Sequence, residues 1–268
     1  MSDEVLYEAR DKIATITINR PSKFNSMNPS FMKELSAAFR RADEDGGVSV
    51  VILTAAGDHF GAGYDLKFPW GETYGRGPMG TRRMLKDCAE FEFGPWDCSK
   101  PVIAMVRGYC LAGSCELAMM CCITYAAKSA TFGEPEIRFS TSPPVVVMPW
   151  LVGLKRSREL LYTGDMIGAE EACQMGMINK VFDDDKLEEE TLKYARRAAA
   201  ISLEGLQTTK ASINRGAEIA GFRSAVDYGV EVGAILDAAE TEQYRQFEAV
   251  RAEKGLSAAI RWREGQFE

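Results

Sequence analysis

With 268 residues, 46% of them apolar and 26% charged, the chain is long enough to bury a sizeable core and too apolar to be a disordered polymer. Its 39 acidic and 32 basic residues give a formal net charge of −7, the wrong sign for gripping a phosphate backbone or an anionic lipid surface, so neither nucleic acid nor membrane is expected as a partner. No run approaches the roughly 18 to 20 apolar residues that span a bilayer, the opening Met1-Ser2-Asp3-Glu4 lacks the layout of a secretory leader, and the seven cysteines are odd in number, so a cytoplasmic protein with free thiols is expected.

Taken in chain order, residues 13–18 (Ile-Ala-Thr-Ile-Thr-Ile) read as a strand closed by Asn19-Arg20-Pro21. Asn28-Pro29 supplies a cap and a first-turn proline, and Phe31, Leu35, Phe39 and Ala42 follow at helical spacing until Gly46-Gly47. Residues 50–54 and 101–106 are short apolar runs that read as buried strands. Between them, residues 68–78 are rich in glycine and proline and read as a loop, with Trp70 and Tyr74 either a lid or plain surface. Residues 156–163, 168–175, 186–200 and 241–253 carry helical periodicity. Strands early and helices late give an α/β core, here residues 1–200, and a helical tail, residues 201–268, which folds back on its own core or packs on a neighbour.

Two turns follow buried strands and carry small residues. One is His59-Phe60-Gly61-Ala62-Gly63-Tyr64-Asp65-Leu66-Lys67. The other is Arg107-Gly108-Tyr109-Cys110-Leu111-Ala112-Gly113-Ser114-Cys115-Glu116-Leu117. Glycine lets a backbone N–H approach a ligand, and a helix starting near Ala112 or Gly113 offers unpaired N–H groups to an oxyanion. Glu116, one turn beyond Gly113, is placed to face the same side. Taken alone, either turn is better explained by close helix–sheet packing. A third segment, Ala130-Thr131-Phe132-Gly133-Glu134-Pro135-Glu136-Ile137, taken alone, reads as a solvated loop, with Glu134 competing for any role given to Glu136. Cysteines 110, 115, 121 and 122 include no C-x-x-C pair, and His59 is the single histidine. Neither a structural zinc site nor a Ser-His-Asp triad is therefore expected.

Together and in this order, these segments resemble the crotonase (enoyl-CoA hydratase/isomerase) superfamily. Residues 16–21 with Asn25-Ser26-Met27 look like its first strand and coenzyme A loop. Phe60-Gly61-Ala62-Gly63-Tyr64-Asp65-Leu66 is similar to F-x-A-G-x-D-[LI], residues 108–117 to G-x-x-x-G-G-G-x-E-L, and residues 132–136 to F-G-x-P-E. Residues 161–164, 169–172 and 176–181 are similar to L-x-x-T-G, A-x-E-A and G-L-V-[ND]-x-V. The resemblance implies a crotonase-like fold of repeated ββα units with a carboxyl-terminal helical region for trimerisation or as a lid. It implies a homotrimer or dimer of trimers, an acyl-coenzyme A thioester as small-molecule substrate, and no metal or redox cofactor. It maps two oxyanion-hole N–H groups to Tyr64 and Gly113 and two catalytic carboxylates to Glu116 and Glu136. It lays coenzyme A against Phe24, Ser26, Ala62, Asp65, Leu66 and Lys67, with Trp262-Arg263 either a further contact or a solvated helix end.

The implied reaction is hydration of a 2-enoyl thioester, because both acids are present. An isomerase, or a lyase or hydrolase of a carbon–carbon bond, is the alternative, and a non-catalytic acyl-CoA binder is the third reading. Two departures bear on the choice. Ala112-Gly113-Ser114 keeps only the central glycine of the family triplet. Residues 140–150, Ser-Thr-Ser-Pro-Pro-Val-Val-Val-Met-Pro-Trp, replace the family's P-G-x-G-G loop and either make a drier acyl pocket or repack the core.

Overall fold

The computed structural model describes residues 3–267; Met1 and Ser2 of the acidic opening and Glu268 of the tail lie outside it. Strands β1 (Val5–Arg10) and β2 (Ile13–Ile18) form a hairpin, and α1 (Pro29–Glu44) follows, capped by Asn28, whose side chain accepts from the Phe31 N–H. Next come β3 (Val50–Ala55), α2 (Trp70–Tyr74), α3 (Pro78–Glu92) and α4 (Gly94–Asp97). Strands β4 (Val102–Val106) and β5 (Tyr109–Leu111) precede α5 (Gly113–Met119), and β6 (Ile123–Ala127) and β7 (Thr131–Gly133) precede a 3-10 turn at Pro135–Phe139. After it come α6 (Met148–Val152), α7 (Leu154–Thr163), β8 (Ile167–Gly168), α8 (Ala169–Gln174) and β9 (Lys180–Phe182). Five helices finish the chain: α9 (Leu187–Ala199), α10 (Leu203–Ile219), α11 (Phe222–Asp237), α12 (Glu242–Lys254) and α13 (Leu256–Glu264).

The strands form two sheets. Six lie in the order β1-β2-β3-β4-β6-β9, parallel except for the first pair. Three shorter strands form a second sheet in the order β5-β7-β8. Side chains alternate across a strand, so the central strands of the large sheet are apolar on both faces. Ile16, Val51, Leu53 and Ala104 join the core beneath α1 and α3, while Val50, Ile52, Ile103 and Met105 meet Leu187, Ala195 and Ala199 of α9.

The early strands, the Asn28 cap and the late helices agree with the sequence. The second sheet does not announce itself, because three-residue strands carry too little alternation to read. The segment read as a loop over 68–78 contains α2 and the start of α3. Its glycines and prolines are helix boundaries: Gly75 and Gly77 have φ of +87° and +77°, and Pro78 opens α3.

The tail folds back on its own chain. Helix α11 packs along α3, and Phe222, 1% exposed, sits among Phe93, Trp96 and Trp150. Phe247 of α12 meets Phe139 edge-on, and Arg251 donates to the Leu66 carbonyl at 2.9 Å. Arg263 is buried and donates to the Arg138 carbonyl, so it is not a solvated helix end. Arg138 in turn reaches Asp165 and Glu264, each at 2.6 Å.

Truncating a buried aromatic in such a contact typically costs about 3 to 5 kcal/mol. Phe222→Ala is expected to lower the urea midpoint accordingly, measured by equilibrium denaturation. A change below about 1 kcal/mol would mean that the tail does not dock as described.

Candidate functional site

The site is built where two turns meet. The turn after β3 runs beside β5: Gly61 bridges Cys110, Gly61 N–H donates to the Tyr109 carbonyl at 2.8 Å, and Leu111 N–H donates back to Gly61 at 3.0 Å. On its other side Tyr64 bridges Met27, through Met27 N–H on the Gly63 carbonyl and Asp65 N–H on the Met27 carbonyl. Gly63 has φ +82°, and a methyl group added there would lie 2.4 Å from the Ala112 Cβ and 3.4 Å from the Gly113 nitrogen. Only glycine fits this contact. Ser114, where the family pattern has glycine, uses its Oγ to accept the Gly63 N–H at 3.1 Å. Ala112, the other departure, stands at φ 54° and ψ −141°, a conformation that costs a non-glycine residue about 1 to 3 kcal/mol. The serine thus fastens the turns together, and the alanine carries strain at the point where they touch.

This packing leaves two amides uncommitted: among the described residues, neither the Tyr64 N–H nor the Gly113 N–H donates to a protein acceptor. Both belong to the turns the sequence singled out. The Tyr64 ring folds across Gly113, where an added Cβ would meet Tyr64 Cε2 at 2.5 Å, Glu92 Oε1 at 2.9 Å and Met27 Cε at 2.9 Å. Tyr64 Oη donates to Glu92 Oε1, and the ring meets Trp70 edge-on at 5.7 Å. Trp70 Nε1 donates to the Asp65 carbonyl at 2.9 Å and its ring stacks on Tyr74. The aromatic segment thus braces the Tyr64 turn from outside.

Four glutamates converge beneath these amides. Glu116 is fully buried, and its Oε1 accepts the Val145 N–H at 2.6 Å. Glu92 is fully buried at the end of α3, and its Oε1 accepts from Tyr64 Oη. Glu134 and Glu136 flank Pro135, and all four of their carboxyl oxygens are buried without a partner among the described residues. The solvated loop expected of this segment taken alone is therefore corrected. Pairing of β7 with β5 pulls the Glu134-Pro135-Glu136 turn inward against α5.

Burial disfavours the ionised form of each of these acids. It lifts Glu136 to about 8 and Asp237, on α11 and bonded to the Ser142 N–H, to about 7. Glu116 and Glu92 are held well above the usual carboxyl range, first by burial; Glu92 adds repulsion to Glu116, while the Val145 amide works against the rise. Glu134 is raised by the same burial.

Of the two roles left open for the 140–150 segment, the structure shows the repacking of the core. Val145, Val147 and Met148 join the core, and the Val145 amide holds Glu116. Trp150 is 41% exposed and packs on Phe222. His59 is a packing residue, stacked between Phe24 and Tyr109 and accepting the Tyr109 N–H at 3.1 Å. Phe24, Leu66 and Lys67 are exposed on the rim of the first turn, with Ser26, Ala62 and Asp65 partly buried beside them.

Sequence reading missed Glu92 and Asp237. Each sits on the buried stripe of its helix, Glu92 after Leu85, Cys88 and Ala89, and Asp237 after Val226, Val230 and Ala234. An acid at an apolar register position is the signal that marks them.

A profile for enoyl-CoA hydratase/isomerase matches residues 8–245. The chain is 34% identical over 224 residues to a crotonyl-CoA hydratase of Syntrophomonas wolfei, covering 80% of this chain and 82% of that protein. It is 32% identical over 222 residues to a short-chain-enoyl-CoA hydratase of Clostridium acetobutylicum, with 80% and 82% covered. The fold superposes on the crystal structure of an enoyl-CoA hydratase/isomerase from Xanthobacter autotrophicus Py2 with a TM-score of 0.94 and 37% identity, covering 99% of this chain and 98% of that one. The chain belongs to the enoyl-CoA hydratase/isomerase family, and its fold is the mixed α/β crotonase fold.

The raised acids make stability depend on pH. Glu136 and Asp237 favour their protonated forms in the folded chain, so their contribution is complete below the ordinary values of 4.5 and 3.8 and is lost as pH rises through about 8 and about 7. The melting temperature is expected to fall between about pH 5 and about pH 9, and Glu136→Gln, which has no charge to bury, to lose less over that span. Differential scanning calorimetry of both proteins checks this, and parallel pH curves would refute it.

Proposed function

We propose that the chain is an enoyl-CoA hydratase, a hydro-lyase adding water across the double bond of a 2-enoyl-coenzyme A thioester. The observation that carries this reading is the convergence of two uncommitted backbone amides, at Tyr64 and Gly113, with the buried carboxyls of Glu116 and Glu136. The names of the relatives support it.

In this reading the thioester oxygen lies between the two amides. As water attacks the β carbon, negative charge moves onto that oxygen, and fixed donors stabilise it without reorganising; removing one typically costs about 2.7 to 4 kcal/mol of barrier. Glu116 takes a proton from the attacking water, and Glu136 gives its proton to the α carbon. The O–H bond of water breaks, the C–O and α C–H bonds form, and the excess proton left at Glu116 returns to Glu136 to close the cycle. A Glu136 value of about 8 suits it to enter the cycle protonated at neutral pH. The Val145 amide favours the charged form of Glu116. The reaction calls for no metal or redox cofactor.

Coenzyme A is assigned to the rim formed by Phe24, Ser26, Ala62, Asp65, Leu66 and Lys67. Two exposed apolar side chains there, Phe24 and Leu66, suit an adenine or pantetheine surface. Helix α12 reaches this rim through the Arg251–Leu66 contact, in keeping with a lid. Exposed Ile213, Ile219, Tyr228 and Ile235 on α10 and α11 support a homotrimer or dimer of trimers. The seven free thiols accord with a cytoplasmic setting.

The test is crotonyl-CoA, followed by loss of the conjugated thioester absorbance and by product mass, since hydration adds one water and isomerisation adds nothing. Glu116→Gln and Glu136→Gln are each expected to lower kcat by about 100-fold to 10,000-fold. Absence of turnover on enoyl thioesters of any length by folded protein overturns the reading. Gly113→Ala keeps the amide and tests how closely the Tyr64 turn must pack on it. Its new methyl meets Tyr64 and Glu92 inside contact distance, so kcat is expected to fall at least about 100-fold while circular dichroism stays native.

A further inference from the structure

Glu92 has no part in the proposed reaction, yet it stands against the Gly113 turn. It ends the buried stripe of α3 after Leu85, Cys88 and Ala89, where packing alone calls for an apolar side chain. Its Oε1 accepts from Tyr64 Oη, while its Oε2 is buried with no partner among the described residues. A buried polar atom left unpaired costs stability that an apolar side chain of similar size does not. Beside a binding site, a ligand is the partner that offsets this cost.

The point where a Gly113 Cβ would stand is bounded by Tyr64 Cε2 at 2.5 Å, Glu92 Oε1 at 2.9 Å and Met27 Cε at 2.9 Å. The Tyr64 ring and the Glu92 carboxyl are thus a wall of the Gly113 turn. An acyl group whose thioester oxygen sits on the Tyr64 and Gly113 amides has this wall beside it. Glu116 Oε2 and both Glu136 oxygens are sealed from solvent as Glu92 Oε2 is. The side-chain movement that admits an acyl group is therefore one the reaction already requires.

We propose that Glu92 is a specificity-determining residue, its free Oε2 hydrogen-bonding a neutral oxygen substituent, a hydroxyl or a carbonyl, on the acyl group. This rests on the hydratase reading for where the thioester oxygen sits, and it adds the class of acyl group that the site selects.

The chemistry of the wall sets that class. Burial holds the Glu92 carboxyl well above the usual range; Glu136 adds to the rise and the Tyr64 hydroxyl works against it. With Oε1 accepting from Tyr64, the proton of the neutral acid sits on Oε2, which then donates to an oxygen of the ligand. A plain hydrocarbon chain leaves that donor unpaired. A carboxylate substituent meets Glu116, Glu134 and Glu136, with no lysine or arginine facing Glu92 or these acids among the described residues. A hydroxyl or a carbonyl satisfies the donor without bringing a charge.

The experiment is isothermal titration calorimetry with saturated thioesters of one chain length: hexanoyl-CoA, hydroxyhexanoyl- and oxohexanoyl-CoA with the oxygen at carbon four, five or six, and adipoyl-CoA. The parent protein is expected to bind at least one neutral oxygenated thioester about 5-fold or more tighter than hexanoyl-CoA, and adipoyl-CoA no tighter than hexanoyl-CoA. Whether the hydroxyl or the carbonyl series gives the tighter binding names the substituent. Glu92→Leu is expected to bring the preference below about 5-fold, and Glu92→Gln, which keeps an acceptor for Tyr64 and a donor in place of Oε2, to retain it. A smaller preference in the parent, tightest binding of adipoyl-CoA, or a preference that survives Glu92→Leu overturns the proposal. So does an equal loss of affinity for every thioester in Glu92→Leu, the result expected if Glu92 serves only to hold Tyr64.

Because these ligands carry no double bond, binding is read with or without turnover. Hydration of crotonyl-CoA by a protein that shows no preference overturns this inference and leaves the hydratase reading. The preference in a protein that hydrates no enoyl thioester does the reverse.

Discussion

The contact between the backbone of Gly63 and that of Ala112 and Gly113 governs the rest of this site. No side chain fits at Gly63, and Ser114 Oγ fastens the two turns by taking the Gly63 amide. The Gly63 amide is taken by Ser114 Oγ and the Ala112 amide by the Gly133 carbonyl, while those of Tyr64 and Gly113 donate to no acceptor among the described residues. The arrangement carries its own cost at Ala112, whose positive φ only surrounding packing can hold. The parallel bridges Gly61–Cys110 and Met27–Tyr64 supply that support from both sides.

A second constraint follows from the first. Bringing α5 against the turn after β3 buries Glu116, and pairing β5 with β7 brings in Glu134 and Glu136. Helices α3 and α11 add Glu92 and Asp237. An interior that gathers five acids near two backbone turns, with no lysine or arginine facing them among the described residues, is poorly suited to stability and well suited to moving protons. The fold tolerates it because each acid can keep its proton, and because Val145, Ser142 and Tyr64 donate to the carboxyls of Glu116, Asp237 and Glu92.

The same geometry explains the departures from the family pattern. Serine in place of glycine at 114 adds a hydrogen bond exactly where the turns join, so the substitution reinforces the junction. Valine in place of a glycine-rich segment at 145 serves the core with its side chain and Glu116 with its amide. Tyrosine at 64 contributes the same backbone N–H that any residue would, and adds a ring that covers Gly113 and a hydroxyl that reaches Glu92.

The amino-acid sequence by itself determined the strands of the large sheet, the Asn28-capped helix, the two small-residue turns and the family they resemble. Each of these is a local pattern: alternation, a cap and proline, glycine after a strand. Only the tertiary structure decided which acids are buried. The Glu134-Pro135-Glu136 turn reads as solvated until β7 pairs with β5. Glu92 and Asp237 reveal themselves only as acids at apolar positions of α3 and α11, two helices that pack against each other from opposite halves of the chain. Burial, and with it the protonation of every group at this site, depends on contacts between residues far apart in sequence, and no local pattern encodes those distances.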